Sequence, residues 1–492
     1  MPSLHIFTFG DTYRWTRLYI FENGRDLEEE VDVEERRAFD ASAQEKAVTE
    51  ESSKFDWNAH WYPVAVIADL DKRVPTAVRI LARDLVVWWD RNGSNWQVWD
   101  DRCPHRLAPL SEGRINEKGE LQCSYHGWCF APCTGDCTCI PQAPKDGNPV
   151  WKSKRASAAV YPSVAKEGIL WFWPDTRPEF KSIADTNPPP SVPALADPTF
   201  TDELSSRDLN YGYEQLLENL MDPAHVPFAH HGLQGDRKLA GPLNLKVDKL
   251  DKSGFTGMAR SGPAVFVAPC VFTMEAQLPT KRGATKRVVM IFICIPVSPG
   301  QSKLIWAFRR NFASWMQVFI PRWYLHIRQM LVLDSDLYIL HAAERKLVEV
   351  GARKWETVCY VPTKSDALVI GFRKWLRVYA GGQPDWNGRY DGLPPTPQRE
   401  VLMDRYWTHV KLCRHCKAAL KVFEGAESFL QVLSVGAAAT LGVAALKPSP
   451  QVRSWSIPLA GGAVLATVAS RWLSSFVKKA YHYHDYNHAL VK

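Results

Sequence analysis

The chain has 492 residues, 46% of them hydrophobic and 23% charged, with a formal net charge of +7. That length carries two or three domains of ordinary globular composition, and the mild positive charge suits an acidic electron donor while giving no sign of nucleic-acid binding. Eleven cysteines in a chain this long are too few and too scattered for a secreted disulfide framework; they fit a reducing compartment with metal ligands and a few spare thiols.

The first residues show no small-residue cleavage site after an apolar run, so no secretory signal is read there. Met1–Asn23 carries Arg14 and Arg17 but a single serine, which makes a poor organelle transit sequence. Residues 26–53 are acidic and weakly periodic, as expected of a solvated helix or disordered linker, so 1–54 is read as an N-terminal extension. From Phe55 onward short apolar runs alternate with turn residues. Val64–Ile67, Leu85–Trp89 and Ile169–Trp173 are strand-like, with Asp90-Arg-Asn-Gly93 as a turn, predicting a small all-β domain over 55–180.

Within that domain Cys103-Pro-His105 is followed seventeen residues later by Cys123-Ser-Tyr-His126. Two pairs, each with a Cys ahead of a His, are the set a Rieske [2Fe–2S] centre needs: thiolates on one iron, imidazoles on the other. Neutral His in place of thiolate raises the potential to about −150 to +300 mV, against roughly −400 mV for all-Cys plant ferredoxins. A structural zinc finger pairs Cys with Cys and His with His, a spacing this segment does not have. Cys129, Cys133, Cys137 and Cys139 crowd the same region and are given no role beyond loop packing.

Pro188-Pro-Pro190 marks a linker, and residues 195–424 then mix helix and strand. Val288–Val297 and Leu304–Phe308 read as adjacent strands and Trp315–Val350 as a long helical stretch, together an antiparallel sheet with helices on it. Tyr211–Asp222 has helical apolar spacing, and Pro223 and Pro227 end or kink it. His225 and His230 are five apart, too far round an ideal helix to meet, but the prolines supply a bend. Two His plus a carboxylate with open positions form the facial triad of a non-haem Fe(II) site. Asp336 in Leu333-Asp-Ser-Asp-Leu337 is the expected third ligand, Asp334 the fallback, and His231 a weaker rival to His230. Cys413-x-x-Cys416 cannot close a zinc site alone, though His409 and His415 are near; redox regulation, spare thiols and metal binding all stay open. Ser428–Leu446 and Ser454–Ser470 are nineteen and seventeen residues without a charge, near the ~20 needed to span a bilayer. They predict a C-terminal transmembrane helical hairpin over 428–477, with Gly436, Gly442, Gly461 and Gly462 allowing close approach. The fold class expected is therefore α+β: an all-β cluster domain, a sheet-plus-helices catalytic domain and a membrane hairpin.

At this point the chain resembles the Rieske non-haem iron oxygenases, within them the plant-type branch of pheophorbide a oxygenase and chlorophyllide a oxygenase. The resemblance rests on Trp61-Tyr-Pro63, Cys103–Gly113, Leu121–Trp128, Ile140-Pro-Gln142, Asn219–His230, Tyr360-Val-Pro-Thr363, Asp404-Arg-Tyr406 with Cys413–Cys416, and the apolar tail. Phe55-Asp-Trp57, Asp69–Arg73 and Val86–Asn92 look most like a translocon-associated member of the branch. The resemblance implies Cys103, His105, Cys123 and His126 as cluster ligands and His225, His230 and Asp336 as ligands of mononuclear iron. It implies that Asp222 links a cluster His, His126 of a neighbouring subunit, to His225, that Asn219 supports this shell, and that the assembly is a homotrimer. The implied reaction takes electrons from reduced ferredoxin and O2, and acts on a chlorophyll-type tetrapyrrole in a chloroplast membrane, inner envelope or thylakoid, from the stromal side. Methyl-to-formyl oxidation is the leading expectation; pheophorbide ring opening and a redox-sensing role in an envelope translocon are the alternatives. Cys413 and Cys416 resemble a dithiol that answers to thioredoxin.

Overall fold

The computed structural model describes residues 54–144, 149–201, 203–278, 286–313, 315, 319–351, 355–390, 392–446 and 450–490. The acidic segment 26–53 lies outside the described residues. Two compact units emerge: one runs up to residue 315 and includes Ile339–Pro395, and the other comprises residues 316–338 and Thr396–Leu490.

The first unit begins with the expected β domain. Strands β1 (Tyr62–Val66), β2 (Thr76–Ile80), β3 (Arg83–Asp90) and β4 (Asn95–Asp100) precede four short strands, β5 (Arg114–Ile115), β6 (Leu121–Gln122), β7 (Cys129–Phe130) and β8 (Cys137–Cys139). Then come β9 (Val160–Tyr161), β10 (Ser163–Lys166) and β11 (Ile169–Phe172). They form three sheets of order β1-β11-β10, β2-β3-β4-β9 and β5-β6-β7-β8. The Asp90–Gly93 turn joins β3 to β4, where the Asp90 carboxylate accepts the Asn92 N–H at 2.9 Å. Trp88 and Trp99, both fully buried, meet edge to face at 5.1 Å. Their core also holds Leu110, Leu121, Phe130, Cys103 and Cys123. The strongest apolar side chains therefore pack directly beneath the two cluster loops.

The remainder of this unit is built on one seven-stranded sheet. Its strands are β12 (Ser205–Leu209), β13 (Lys246–Asp251), β14 (Gly254–Ala259), β15 (Gly262–Val267), β16 (Val271–Leu278), β17 (Lys286–Ser298) and β18 (Gln301–Arg310). The order is β12-β18-β17-β16-β15-β14-β13, every pair antiparallel. Helix α1 (Tyr213–Met221) buries Tyr213, Leu216, Leu217 and Met221. The long helix α2 (Arg322–Val350) starts seven residues later than Trp315, after Pro321. Glu344 of α2 accepts the Gly212 N–H on both carboxylate oxygens, at 3.0 and 3.1 Å, and so caps the start of α1. Helix α3 (Ala367–Val378) packs on β13 and β14. Thr363, in the Tyr360–Thr363 motif, makes a capping box with Asp366 just ahead of it.

The second unit contains the first part of α2 and a helical hairpin, α4 (Arg414–Leu446) and α5 (Pro450–Val477). Ser434 Oγ bonds the Ala463 carbonyl at 3.1 Å and Thr467 Oγ1 at 2.6 Å across the pair. The expectation that glycines bring these helices together needs correction. A Cβ at Gly436, Gly442, Gly461 or Gly462 would meet nothing within 4 Å, so they face away from the seam, which Ser434, Ala463 and Thr467 form instead. Among the described helices, α4 is the one long and apolar enough to cross a membrane; α5 is continuous with Pro458 inside it. Val435, Val443, Leu446, Ile457 and Leu465 are exposed on the outer surface of the hairpin.

Candidate metal centres

Two loops rise from the Trp88/Trp99 core on one backbone plan. In each, the Cys N–H bonds the carbonyl five residues on: Cys103 to Ala108 at 2.8 Å and Cys123 to Trp128 at 2.9 Å. In each, the Cys carbonyl accepts the N–H four residues on, from Leu107 at 2.8 Å and from Gly127 at 3.0 Å. That fourth residue takes the left-handed conformation, with φ of 59° at Leu107 and 75° at Gly127. Asp101 fastens the first loop by accepting the Ser111 N–H and hydroxyl at 2.7 and 2.6 Å. Gln142 fastens the second by donating to the His126 carbonyl at 2.9 Å, which explains why Ile140-Pro-Gln142 accompanies the ligands.

The plan puts both Cys in the core and both His nearer the surface. The two imidazoles lie 4.4 Å apart, centroid to centroid, and His105 stacks on Trp128 at 4.7 Å. Trp128 is a supporting residue that spacing alone did not assign. Burial pushes the Cys103 thiol up to about 12, so iron must displace a proton to bind there. His105 Nδ1 is a buried nitrogen with no hydrogen-bond partner among the described residues, as a nitrogen reserved for a metal bond would be. Donor set and burial both fit a [2Fe–2S] cluster with its His-ligated iron outward.

Gly127→Ala would place a methyl 3.2 Å from Pro141 Cγ in a left-handed conformation. We expect it to cost about 1–2 kcal/mol and to lower iron content per chain, measured by metal analysis and the cluster's visible absorption. Leu107→Gly, which relieves the same conformation, should leave stability within about 1 kcal/mol of the parent and iron content and absorption unchanged.

The second centre lies at the end of α1. The helix stops at Met221 and Asp222 is its C-cap, in extended conformation, with Pro223 next. A single helical turn, Val226–Ala229, follows, with His225 at its N-cap and His230 at its C-cap. One turn bracketed by the two imidazoles brings residues five apart together: His225 Nε2 and His230 Nε2 are 3.1 Å apart. Two nitrogens about 2.1 Å from one ion, at a right angle, stand roughly 3 Å apart. Behind them, one Asp222 oxygen accepts the Ala224 N–H at 2.7 Å, while the other faces His225 Nδ1 at 3.6 Å. That is ion-pair range, longer than a hydrogen bond, and with Nδ1 on the Asp222 side it is Nε2 that faces His230. Asn219 Nδ2 stands 3.5 Å from the same Nε2. His231 is directed elsewhere: its Nδ1 accepts the Arg237 N–H at 3.2 Å and faces Asp236 at 3.9 Å.

The two carboxylates on α2 are not equivalent. Asp334 Oδ2 receives Arg405 Nε at 2.8 Å and Nη2 at 2.5 Å, with the two side chains 0% and 1% exposed. A carboxylate so engaged by a guanidinium is a poor ligand for a cation. Asp336 is buried two residues further along the helix. Cys413 and Cys416 are buried in the second unit, in the core at the base of the hairpin.

Comparison with known proteins adds two family matches: a Rieske [2Fe-2S] domain over residues 60–162 and pheophorbide a oxygenase over residues 266–354. The sequence is 48% identical over 487 residues to "Protochlorophyllide-dependent translocon component 52, chloroplastic" of Arabidopsis thaliana, covering 89% of this chain and 87% of that one. It is 44% identical over 461 residues to "Flavonoid 8-hydroxylase 2, chloroplastic" of Ocimum basilicum, with the same coverage of 89% and 87%. Among solved structures, dicamba monooxygenase bound to dicamba matches with a TM-score of 0.53, covering 66% of this chain and 98% of that one. Its 21% identity makes this a likeness of fold.

Proposed function

The chain belongs to the Rieske oxygenase family of pheophorbide a oxygenase, and on that premise we propose that it is a ferredoxin-dependent monooxygenase of a chlorophyll-type tetrapyrrole. The reaction we propose is oxidation of a ring methyl towards formyl on protochlorophyllide or chlorophyllide. The observation that carries this reading is the His225/His230 pair, two Nε2 atoms 3.1 Å apart with an acid behind one of them. A chain that merely relays electrons from its cluster needs no such pair.

In this reading His225, His230 and Asp336 hold the mononuclear iron. The engagement of Asp334 by Arg405 favours Asp336 over its neighbour. When bound, the cluster supplies electrons singly and the iron supplies oxygen activation. The chain's own residues do the remaining work. Asp222 fixes the tautomer and direction of His225, and in a homotrimer it is the bridge by which His126 of a neighbouring subunit reaches that imidazole. The hairpin α4–α5, with its exposed apolar surface, enters a chloroplast membrane, inner envelope or thylakoid, where an apolar pigment resides, and leaves the catalytic domain in the stroma. Pheophorbide ring opening is the same-class alternative. The flavonoid hydroxylase relative supports a second reading, in which His225, His230 and Asp336 would hold an iron that serves hydroxylation of a flavonoid.

Aerobic turnover of the solubilised chain with reduced ferredoxin tests these readings together. Protochlorophyllide a, chlorophyllide a, pheophorbide a and a flavone are offered separately, and products are read by chromatography and mass. A formyl pigment supports the proposal, a ring-opened pigment moves it to pheophorbide cleavage, and a hydroxylated flavone with no pigment product overturns the tetrapyrrole assignment. Asp222→Asn should cost about 10–100-fold in turnover or iron affinity while the Rieske absorption is unchanged.

A further inference from the structure

Four side chains of the second unit converge that neither iron site uses. His326 comes from α2, and His409 from the π-helical turn Tyr406–Val410. Cys413 immediately precedes α4 and Cys416 lies in its first turn. One donor atom from each, Nδ1 or Nε2 and Sγ, lies within 4.8 Å of all the others. Cys413 Sγ and Cys416 Sγ are each 3.4 Å from His326 Nδ1, and Cys416 Sγ is 3.4 Å from His409 Nε2. All four residues are buried, at 3%, 1%, 3% and 2% exposure in the order named.

We propose that His326, His409, Cys413 and Cys416 bind one tetrahedral divalent metal, zinc, as a structural site at the base of the helical hairpin. Bonds of about 2.0–2.1 Å to nitrogen and 2.3 Å to sulfur give tetrahedral ligand–ligand edges of roughly 3.3–3.8 Å, and the 3.4 Å contacts fall in that range. Two thiolates and two imidazoles form a charge-neutral complex with a divalent ion, which suits so dry a position. The surrounding shell is apolar: Val410, Leu420, Leu473, Val477 and Tyr481 are buried in the same cluster. A closed set of four protein ligands leaves no open position, so the site is structural rather than catalytic. Zinc suits mixed sulfur and nitrogen donors in tetrahedral geometry, whereas square-planar and octahedral sites are the province of other ions.

The geometry also weighs against a dithiol that exchanges freely with a protein reductant. Reactive cysteines are partly exposed, and these two are 3% and 2% exposed. Each sulfur is, moreover, aimed at an imidazole nitrogen, an arrangement that a disulfide does not need and a metal does. The site would tie α2, the π-helical turn and the first turn of α4 to one point, fixing the root of the hairpin without a large core.

The test is metal analysis of the detergent-solubilised full chain, with Rieske absorption recorded on the same samples. The expected result is about one zinc per chain in addition to iron. Cobalt added in place of zinc during expression should give the intense visible bands of tetrahedral Co(II) and a near-ultraviolet thiolate charge-transfer band. Cys413→Ala and His326→Ala should lose the zinc and the cobalt spectrum. His326→Cys keeps a four-ligand set and should retain zinc, which separates loss of a ligand from loss of fold. Zinc below about a tenth of an equivalent, together with a Cys413–Cys416 disulfide or two freely alkylated thiols by mass, would overturn the site and return this pair to redox chemistry.

Discussion

His225→Ala and His230→Ala are each expected to abolish product formation while leaving the Rieske absorption and its reduced-state paramagnetic signal at parental strength. Each removes one of two nitrogens that stand 3.1 Å apart, and a single imidazole with one carboxylate does not hold a divalent ion in the presence of competing water. Cys103 and Cys123, the thiolates proposed for the cluster, belong to a different core, built on Trp88 and Trp99, so the spectra report on that domain independently. The measurement pairs turnover with iron content: the variants should lose the mononuclear iron and keep the cluster. Retained turnover in His225→Ala would remove this pair from the chemistry. Loss of the Rieske signal along with turnover would mean that the substitution had disturbed folding and not the iron alone. A chain acting only as a redox sensor would tolerate either substitution.

Arg405→Met is expected to be the most destabilising single substitution outside the metal ligands. Its guanidinium, 1% exposed, pairs with an Asp334 carboxylate that is 0% exposed. It also donates to the carbonyls of Lys479 and Ala480 at 2.9 and 3.0 Å. Removing one member of a buried pair leaves the other charge without compensation, which costs about 3–5 kcal/mol. The two carbonyls then lose their donor as well, at about 1–3 kcal/mol each where no water replaces it. Thermal unfolding in detergent should show a large drop, and limited proteolysis should cut within 396–490. Asp334→Leu combined with Arg405→Met should recover much of the loss, because the uncompensated charge is then gone. A single variant as stable as the parent would show that solvent reaches Asp334.

How much of this was legible depended on how local each signal was. The four residues proposed as cluster ligands are confined to two short loops, so spacing alone puts them forward without knowledge of the fold, and the structure brings the two imidazoles within 4.4 Å of each other. His225 and His230 were legible because Pro223 and Pro227 announce a break where an unbroken helix would have separated the imidazoles. The choice between Asp334 and Asp336 was not legible, since nothing near Leu333–Leu337 reveals that Arg405, far along the chain, takes one of them. His326 escaped for the same reason: its partners are His409, Cys413 and Cys416, and the neighbour suggested by the motif, His415, is instead bonded by Arg414 Nε at 3.2 Å. The hairpin glycines were misassigned because composition reports that small residues are present and not which way they face. The short apolar runs between turn residues did mark strands of the antiparallel sheets, since run and turn are each properties of a few neighbouring residues.

The burial of Cys103 and Cys123 among Trp88, Trp99, Leu110 and Phe130 bears on biogenesis. These sulfurs are part of the material that fills the core, so a cluster held by them would not be an accessory added to a finished domain. Its assembly and the collapse of the surrounding strands would be coupled steps of one maturation event. A chain that crosses an envelope unfolded would have to receive its inorganic iron and sulfide on arrival, before the tryptophans close over the thiolates. The supply of clusters in the destination compartment, more than synthesis of the polypeptide, would then set how much active protein accumulates.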